Sequence, residues 1–212
     1  TRLSRGLGDV YKRQVKATGD NQNPSSIYNS YTGVQWACEN GANVVSMSYG
    51  SENSSNAMQD LIYAYPEVVF IAAAGNDSSS TQNYPAAYQN VIGVGSVDSN
   101  DLRSSFSNYN VGFPWVDIAA PGGYSYGGLL STVYTESLNG YARFGGTSMA
   151  TPFAAGLVGL MLSVNPSLTP IQIQNCLVNS GVDINQNIGP RIDAYQALLC
   201  VQPENDNPIP AF

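Results

Sequence analysis

A serine at the start of an apolar helix is the first residue in this sequence that could do chemistry. Ser148 lies in the octet Gly-Gly-Thr-Ser-Met-Ala-Thr-Pro at residues 145–152, and small apolar residues follow at 154–162. The first backbone N–H groups of a helix lack helical partners, and the helix dipole adds positive charge there. Both would stabilise an oxyanion formed when the hydroxyl attacks a carbonyl, as in acyl transfer. The alternative is that Ser148 or Thr147 only caps a core helix.

The helix after Ser148 is predicted to be buried. Its small apolar residues indicate close packing on a sheet with apolar contacts on every side, and the run at 154–162 is too short for a membrane span. We expect Pro152 in the first turn, where a missing N–H costs nothing.

The octet matches the nucleophile motif of the subtilase family, Gly-Thr-Ser-Met-Ala-(Ser/Thr)-Pro, at every defined position, so the chain resembles that family. Residues 43–50 look like the family's strand leading to its substrate-binding segment, and residues 70–76 look like its oxyanion-hole strand. Further segments follow in the family's order and approximate spacing, at 84–88, 91–95, 106–107 and 120–122. The similarity extends from residue 15 to residue 200.

This resemblance implies a serine-type endopeptidase that hydrolyses peptide bonds through an acyl-enzyme. Ser148 resembles the nucleophile, and Asn76 resembles the side-chain donor to the tetrahedral oxyanion. Taken without the motifs, Asn76 after a glycine is more typical of a turn. The chemistry needs no cofactor.

The resemblance also implies a site for an extended substrate. Ser48, Tyr49 and Gly50 resemble the segment whose backbone pairs with the substrate strand. Three small residues, Ala73, Ala74 and Gly75, resemble the lining of the primary specificity pocket. Because small side chains leave such a pocket open, we expect a large apolar residue before the scissile bond (the P1 residue).

The sequence departs from the family in one decisive respect, because it contains no histidine. Subtilases use Asp, His and Ser in that chain order, and the first two would precede the segment that Lys16 and Ala17 resemble. We therefore expect an N-terminally truncated fragment that is inactive as given. The alternative is a noncatalytic peptide-binding module that kept the cleft and lost the triad. Sedolisins, which use Ser-Glu-Asp, place an aspartate where Asn76 stands, and this disfavours them.

Composition limits the partners and the location. The 212 residues are 43% hydrophobic and only 11% charged, which suits one packed domain of an extracellular protein. Eight basic and fifteen acidic residues give a net charge of −7. Such a surface repels phosphate backbones and anionic lipids. We expect a secreted monomer with polypeptide substrates, no nucleic-acid partner and no membrane partner.

Strands alternating with helices predict an α/β fold with a mostly parallel sheet flanked by helices. The resemblance implies the three-layer subtilisin-like arrangement of these elements. The β-rich runs are 44–48, 68–74, 91–97 and 116–120, and crossover helices are predicted at 31–40 and 55–64. Residues 129–133 and 141–144 predict a hairpin that turns at Asn139-Gly140.

The two ends of the chain differ from its body. Residues 1–14 hold half of the eight basic residues and no signal-peptide apolar region, so they are predicted to be a non-native or disordered segment. Residues 15–202 then form a partial subtilase catalytic domain. Residues 203–212 contain three prolines and predict a linker or tail.

Three cysteines leave two disulfide patterns open. Cys176 and Cys200 lie on late segments that could pack together and form a bridge, with Cys38 free or paired upstream. Alternatively, all three are buried thiols. Family members also bind structural calcium, and Asp117 with the carbonyls of residues 86–91 resembles a weak cation site. No other residues have metal-ligand spacing.

Overall fold

The computed structural model describes residues 12–18, 27–123, 127–134 and 139–202. In chain order the elements are α1 (Ser30–Glu39), β1 (Val44–Met47), α2 (Asn56–Ala64), β2 (Val69–Ala73), β3 (Val91–Val97), β4 (Ile118–Pro121), β5 (Leu129–Tyr134), β6 (Asn139–Phe144), α3 (Thr147–Val164), α4 (Pro170–Ser180) and α5 (Ala194–Cys200). Residues 1–11 and the tail at 203–212 lie outside the described residues, and the domain boundaries stay predictions.

Four parallel strands form the central sheet in the order β1-β2-β3-β4. The register pairs Val44 with Val69, Phe70 with Val91, and Val94 with Ile118. Strands β2 and β3 are buried along their whole length, and apart from Ser96 their residues are apolar. The predicted α/β fold is confirmed, and the strand ends differ from the prediction by at most two residues.

Helices cover both faces of the sheet, which makes three layers. On one face α1 and α2 pack over a core that contains Val34, Met47, Ile62 and Phe70. On the other face α3, α4 and α5 pack over a second core that contains Ile71, Ile118, Val158, Met161 and Ile173. Side chains alternate between the two faces along each strand, and this is why neighbours such as Phe70 and Ile71 belong to different cores.

Helix α3 carries Ser148 and packs against all four strands. It has 18 residues, more than the apolar run from which it was predicted, and its length and composition would allow it to cross a membrane. Its buried residues instead line the second core. The prediction of burial on every side was wrong, because Phe153 and Leu160 are 49% and 53% exposed.

Pro152 does not lie in the first helical turn, as the sequence predicted. It is the sixth residue of α3, so its missing N–H removes a helical hydrogen bond that the carbonyl of Ser148 would otherwise accept. The first-turn prediction failed because the helix begins at Thr147, earlier than the proline alone indicates. The carbonyl of Ser148 must find another donor.

Strands β5 and β6 pair antiparallel, with Leu129 opposite Phe144. The predicted turn at Asn139-Gly140 was wrong, since both residues lie in β6 and Gly140 pairs with Val133. Gly140 does have a positive φ of 132°, the property that makes Asn-Gly pairs common in turns, but here it occurs within a strand. The connection at residues 135–138 lies outside the described residues.

Cys176 on α4 and Cys200 on α5 form a disulfide, which decides between the two patterns left open by the sequence. Cys38 is a free, buried thiol on α1. Burial raises the pKa of this thiol to about 11, so it is protonated at neutral pH. The disulfide links α5 to α4, and Cys176 packs against the second core.

Candidate active site

Three segments meet where the carboxyl ends of β1 and β2 reach the start of α3. Residues 48–50 follow β1, and residues 74–76 follow β2. Because β1 and β2 are parallel neighbours, their carboxyl ends lie at the same edge of the sheet. The contacts of Thr147 and Ser148 described below join both segments to the amino end of α3.

Ser148 and Ser48 exchange two hydrogen bonds. The Ser148 hydroxyl donates to the backbone oxygen of Ser48 at 3.2 Å, and the Ser48 hydroxyl donates to the backbone oxygen of Ser148 at 3.0 Å. The second bond satisfies the carbonyl left without a helical donor by Pro152. Ser148 is half-buried, so its hydroxyl is accessible from the cleft.

Asn76 is tied to the same helix start through its carbonyl oxygen. Asn76 Oδ1 accepts from the backbone N–H of Thr147 at 2.9 Å and from the Thr147 hydroxyl at 3.0 Å. The Thr147 hydroxyl in turn accepts from the backbone N–H of Gly75 at 3.1 Å. These bonds turn the carbonyl side of the Asn76 amide towards α3. Within the described part of the chain, Asn76 Nδ2 has no acceptor.

The arrangement leaves two donors near one point, since a Cβ added to Gly146 would lie 3.6 Å from Asn76 Nδ2 and 3.7 Å from Ser148 N. Ser148 lies in the first turn of α3, where backbone N–H groups have no helical acceptor, and the Asn76 amide adds a side-chain donor. Among the described residues, none accepts a hydrogen bond from Ser148 N. Chemically, this pair of N–H groups beside a hydroxyl can hold the oxygen of a carbonyl under attack.

The place where residues 48–50, residues 74–76 and the start of α3 meet is called the corner below. A cleft of about 370 Å³ runs alongside this corner. Five residues predicted to bind substrate or catalyse line it together with Ser148, namely Tyr49, Gly50, Ala73, Gly75 and Asn76. Ser48 is exposed beside the cleft and contacts Ser148. The structure does not bring the Ala74 side chain to the cleft, since it is fully buried in the core beneath α1 and α2.

Two buried asparagines support the wall of the cleft, and sequence analysis identified neither of them. Asn83 and Asn108 both donate through Nδ2 to the backbone oxygen of Ala74, at 3.2 and 2.9 Å. Asn108 Oδ1 also accepts from the backbone N–H groups of Asp77 and Ser79, which anchors the loop after Asn76. Both lie in polar loops, where asparagine usually marks a turn, so only the tertiary fold identifies their role.

Three other polar residues near the corner were also not identified from the sequence. Glu52 and Asp77 lie at the cleft and are exposed, which gives its mouth an acidic character. Thr147 was considered only as a helix cap, yet its hydroxyl joins Gly75 to Asn76. Its position directly before the candidate nucleophile is the one signal that could have pointed to it.

Asp117, the aspartate of the predicted cation site, is hydrogen-bonded to two other segments of the chain, and its calcium role stays a prediction. Its two carboxylate oxygens accept from the backbone N–H of Gly93 at 2.7 Å and from Gln174 Nε2 at 3.1 Å. Burial raises the pKa of this carboxyl to about 6. Among the residues that the structure describes, no group of three or more His, Cys, Asp or Glu side chains could hold a metal ion.

Comparison with known proteins places these features in a family context. A family model described as "Subtilase family" matches residues 5–196. Alkaline elastase YaB from Bacillus sp. (strain YaB) is 40% identical over 161 residues, which cover 75% of this chain and 40% of the elastase. Halolysin-like extracellular serine protease Nep from Natrialba magadii is 38% identical over 207 residues, 94% of this chain and 36% of that protein.

A solved structure agrees in fold. A protease from Pseudoalteromonas arctica PAMC 21717 superposes with a TM-score of 0.74 at 29% identity, covering 81% of this chain and 58% of the other. This chain therefore spans less than half of the two sequence relatives named above and somewhat more than half of the solved one.

Proposed function

Since this chain belongs to the subtilase family, we propose that it is the part of a serine endopeptidase that carries the nucleophile, Ser148, and the oxyanion donor, Asn76. The observation that carries the proposal is the pair of bonds from Thr147 to Asn76 Oδ1, at 2.9 and 3.0 Å. They hold the amide beside the residue that precedes Ser148.

The proposed reaction uses groups of this corner in turn. The Ser148 hydroxyl attacks the substrate carbonyl carbon, and the carbonyl oxygen becomes an oxyanion. Asn76 Nδ2 and the backbone N–H of Ser148 then donate to that oxyanion, in a site whose dipoles are already oriented. An acyl-enzyme forms on Ser148 as the amine leaves.

The proton of Ser148 needs a base that these 212 residues do not contain. They include no histidine, and the hydroxyl instead donates to the Ser48 carbonyl, which is not basic. We infer that a histidine and its aspartate come from polypeptide outside these residues and that the 212 residues alone do not hydrolyse peptides. In a subtilisin, a known case from this family, loss of the histidine lowers turnover by about 10⁶.

The substrate is proposed to bind as an extended polypeptide between two backbone segments. Tyr49 and Gly50 line the cleft from the segment after β1, and Ala73 and Gly75 line it from the end of β2 and the residues after it. Backbone pairing gives affinity that depends little on sequence, and the pocket between the segments selects one side chain. We propose a monomer that requires no cofactor and binds neither nucleic acid nor membrane, consistent with the net charge of −7.

An extracellular location is proposed on two grounds. The Cys176–Cys200 disulfide is typical of oxidising compartments. The relative from Natrialba magadii is named as an extracellular serine protease.

The absence of histidine favours one second candidate, a noncatalytic module that binds peptides in the same cleft. Such a module would need the cleft walls but would have no use for an oxyanion donor. The orientation of Asn76 by Thr147 therefore favours the enzyme.

A fluorophosphonate probe, which labels activated serines, tests the proposal on two proteins. One is the 212-residue chain, and the other is the protein encoded by the longest open reading frame that contains it. We expect labelling of Ser148 in the longer protein and none in the shorter one. Ser148→Ala should abolish both labelling and peptide hydrolysis, whereas the control Ser163→Ala, on the same helix, should retain both. Labelling of another serine while Ser148→Ala stays active would refute the assignment.

A further inference from the structure

Building on the proposed function, we propose that Asn108 is the positioning residue that holds Asn76 in place as the oxyanion donor. Asn108 touches neither the substrate nor the reacting atoms. It acts through the backbone on both sides of Asn76, and without its side chain the Asn76 amide would lose its fixed direction.

The main chain of Asn76 is not held by hydrogen bonds of its own. Among the described residues, neither its N–H nor its carbonyl oxygen has a hydrogen-bond partner, and only its side chain is bonded. Two neighbouring residues have left-handed backbone conformations, with φ of 104° at Gly75 and 49° at Ser78. A residue other than glycine rarely keeps such a φ unless the surrounding structure imposes it. The position of Asn76 is therefore set by contacts of the residues beside it.

Asn108 holds the segment before Asn76 through two hydrogen bonds. Its Nδ2 donates to the backbone oxygen of Ala74 at 2.9 Å, and its backbone N–H donates to that of Gly75 at 3.0 Å. A Cβ added to Gly75 would lie 2.5 Å from Asn108 Nδ2, so a glycine at this position allows the amide to come so close. The residues that lead into Asn76 are thus in direct contact with the Asn108 side chain.

The segment after Asn76 is held by the other side of the same amide. Asn108 Oδ1 accepts from the backbone N–H groups of Asp77 and Ser79, both at 3.0 Å. Together with the bonds to the preceding segment, four hydrogen bonds from one residue bracket Asn76. Because Asn108 is only 2% exposed, water competes little for these bonds. Loss of the side chain would release three of the four.

Asn108 is itself fixed to the central sheet, so it can impose a defined position. The hydroxyl of Ser107 accepts from the backbone N–H of Ser96 in β3 at 3.0 Å and donates to the backbone oxygen of Asn108 at 3.1 Å. Arg103 Nη1 also donates to the backbone oxygen of Ser107, at 2.6 Å. Both serines are fully buried. The segment around Asn76 is thereby tied to a strand of the buried sheet.

Asn110, two residues further on, provides a matched control. Its Nδ2 donates to the backbone oxygen of Val116 at 2.9 Å, and its Oδ1 accepts from the backbone N–H groups of Trp115 and Val116, both at 2.9 Å. Asn108 and Asn110 therefore make the same three kinds of side-chain bond, but those of Asn110 hold residues 115–116. Replacing either with alanine should lower stability, and only Asn108→Ala should also affect the donor.

The first test measures the kinetics of the longer protein on a peptide anilide. Asn108→Ala should lower kcat by roughly 10- to 100-fold, as expected for a misplaced catalytic group, and change KM by less than about twofold. Asn110→Ala should leave both parameters within about twofold of the unmodified protein. In an Asn76→Ala background, Asn108→Ala should cost at most about twofold more, because the group that it positions is absent. An equal loss of kcat with and without the Asn76 amide would overturn the proposal.

The second test follows the position of the Asn76 amide without catalysis, on the 212-residue chain. The backbone N–H of Thr147 donates to Asn76 Oδ1 at 2.9 Å, so its hydrogen exchange, measured by NMR, reports on that bond. Asn108→Ala should speed this exchange by about 10-fold relative to Asn110→Ala. Equal exchange in the two variants would contradict the positioning role. A difference in exchange, with a longer protein that hydrolyses no peptide, would refute the proposed function alone, so the two proposals can fail independently.

A further variant keeps the outcome decisive if Asn108→Ala does not fold. Asn108→Ser retains a hydroxyl that can replace one of the three side-chain bonds, so it should disturb folding less. We expect its kcat to fall by about 10-fold, and this loss should again disappear in the Asn76→Ala background. A kcat close to that of the unmodified protein, or a change in KM alone, would overturn the proposal.

Discussion

The corner around Ser148 and the interior around Asp117 use polar groups in opposite ways on the same sheet. At the corner, the Ser148 N–H and Asn76 Nδ2 have no protein acceptor among the described residues, and the hydroxyl faces a cleft. At Asp117, each carboxylate oxygen meets an N–H donor inside the protein. N–H donors without a protein acceptor can bind a reacting oxygen, whereas a carboxylate whose oxygens already accept hydrogen bonds only stabilises the fold. Substitutions at the corner should therefore change catalysis, and substitutions at Asp117 should change the free energy of unfolding.

The largest effect is expected at the corner, in the longer protein proposed to supply the base. Asn76→Ala removes the donor proposed for the oxyanion, so kcat should fall by about 10²–10³ while KM changes little, a magnitude known from a subtilisin. Steady-state kinetics on a peptide anilide would measure this, with thermal unfolding as the check on folding. An equal rise in KM with kcat unchanged would assign Asn76 to substrate binding instead.

Loss of the disulfide should affect stability and leave the corner intact. Cys176→Ser with Cys200→Ser removes a cross-link between residues 24 apart in sequence, which should lower the free energy of unfolding by about 3 kcal/mol. Urea unfolding of the chain measures it, and a reductant should lower the stability of the unmodified chain only. Altered peptide binding in the folded variant would show that the two regions are coupled.

The ionisation of Asp117 should make stability depend on pH. Burial raises the pKa of this carboxyl from 3.8 to about 6, so the folded state binds the proton more tightly than the unfolded state does. Its contribution is greatest below pH 3.8 and is lost as the pH rises through about 6, a change of about 3 kcal/mol.

Comparison of the unmodified chain with Asp117→Asn isolates this contribution, because all other carboxyls are shared. Urea unfolding between pH 3.5 and 7, in roughly half-unit steps, should show the difference in unfolding free energy shifting in favour of the variant as the pH rises. Parallel pH profiles for the two proteins would contradict the raised pKa.

The smallest effect sharpens the comparison within the corner itself. Thr147→Val removes the hydroxyl that joins Gly75 to Asn76 and keeps the backbone bond to Asn76 Oδ1. We expect kcat of the longer protein to fall by about 10-fold, because both hydrogen bonds of the hydroxyl are lost and the Asn76 amide is held less firmly. Thr147→Ser keeps the hydroxyl and should restore most of the rate, and equal losses in both variants would implicate packing.

Sequence motifs predicted the fold well and named residues that the structure brings together beside Ser148, because both depend on local patterns. Buried parallel strands are short apolar runs, and each of the four was found within two residues of its expected ends. Pro152 and the Asn139-Gly140 turn were misplaced, because helix starts and hairpin turns depend on where neighbouring elements end. Asn83 and Asn108 escaped notice since asparagine in a loop carries no signal of burial.

The amino-acid sequence by itself determined the helices and strands, the family and the choice of the Ser148 hydroxyl as candidate nucleophile, because these follow from side-chain type and short spacing. Only the tertiary structure decided which residue brackets Asn76 and which way the Asn76 amide points. Both depend on loops that join at the carboxyl edge of the sheet from positions up to about one hundred residues apart. Contacts between such distant residues arise from packing, and packing is not encoded in any short segment.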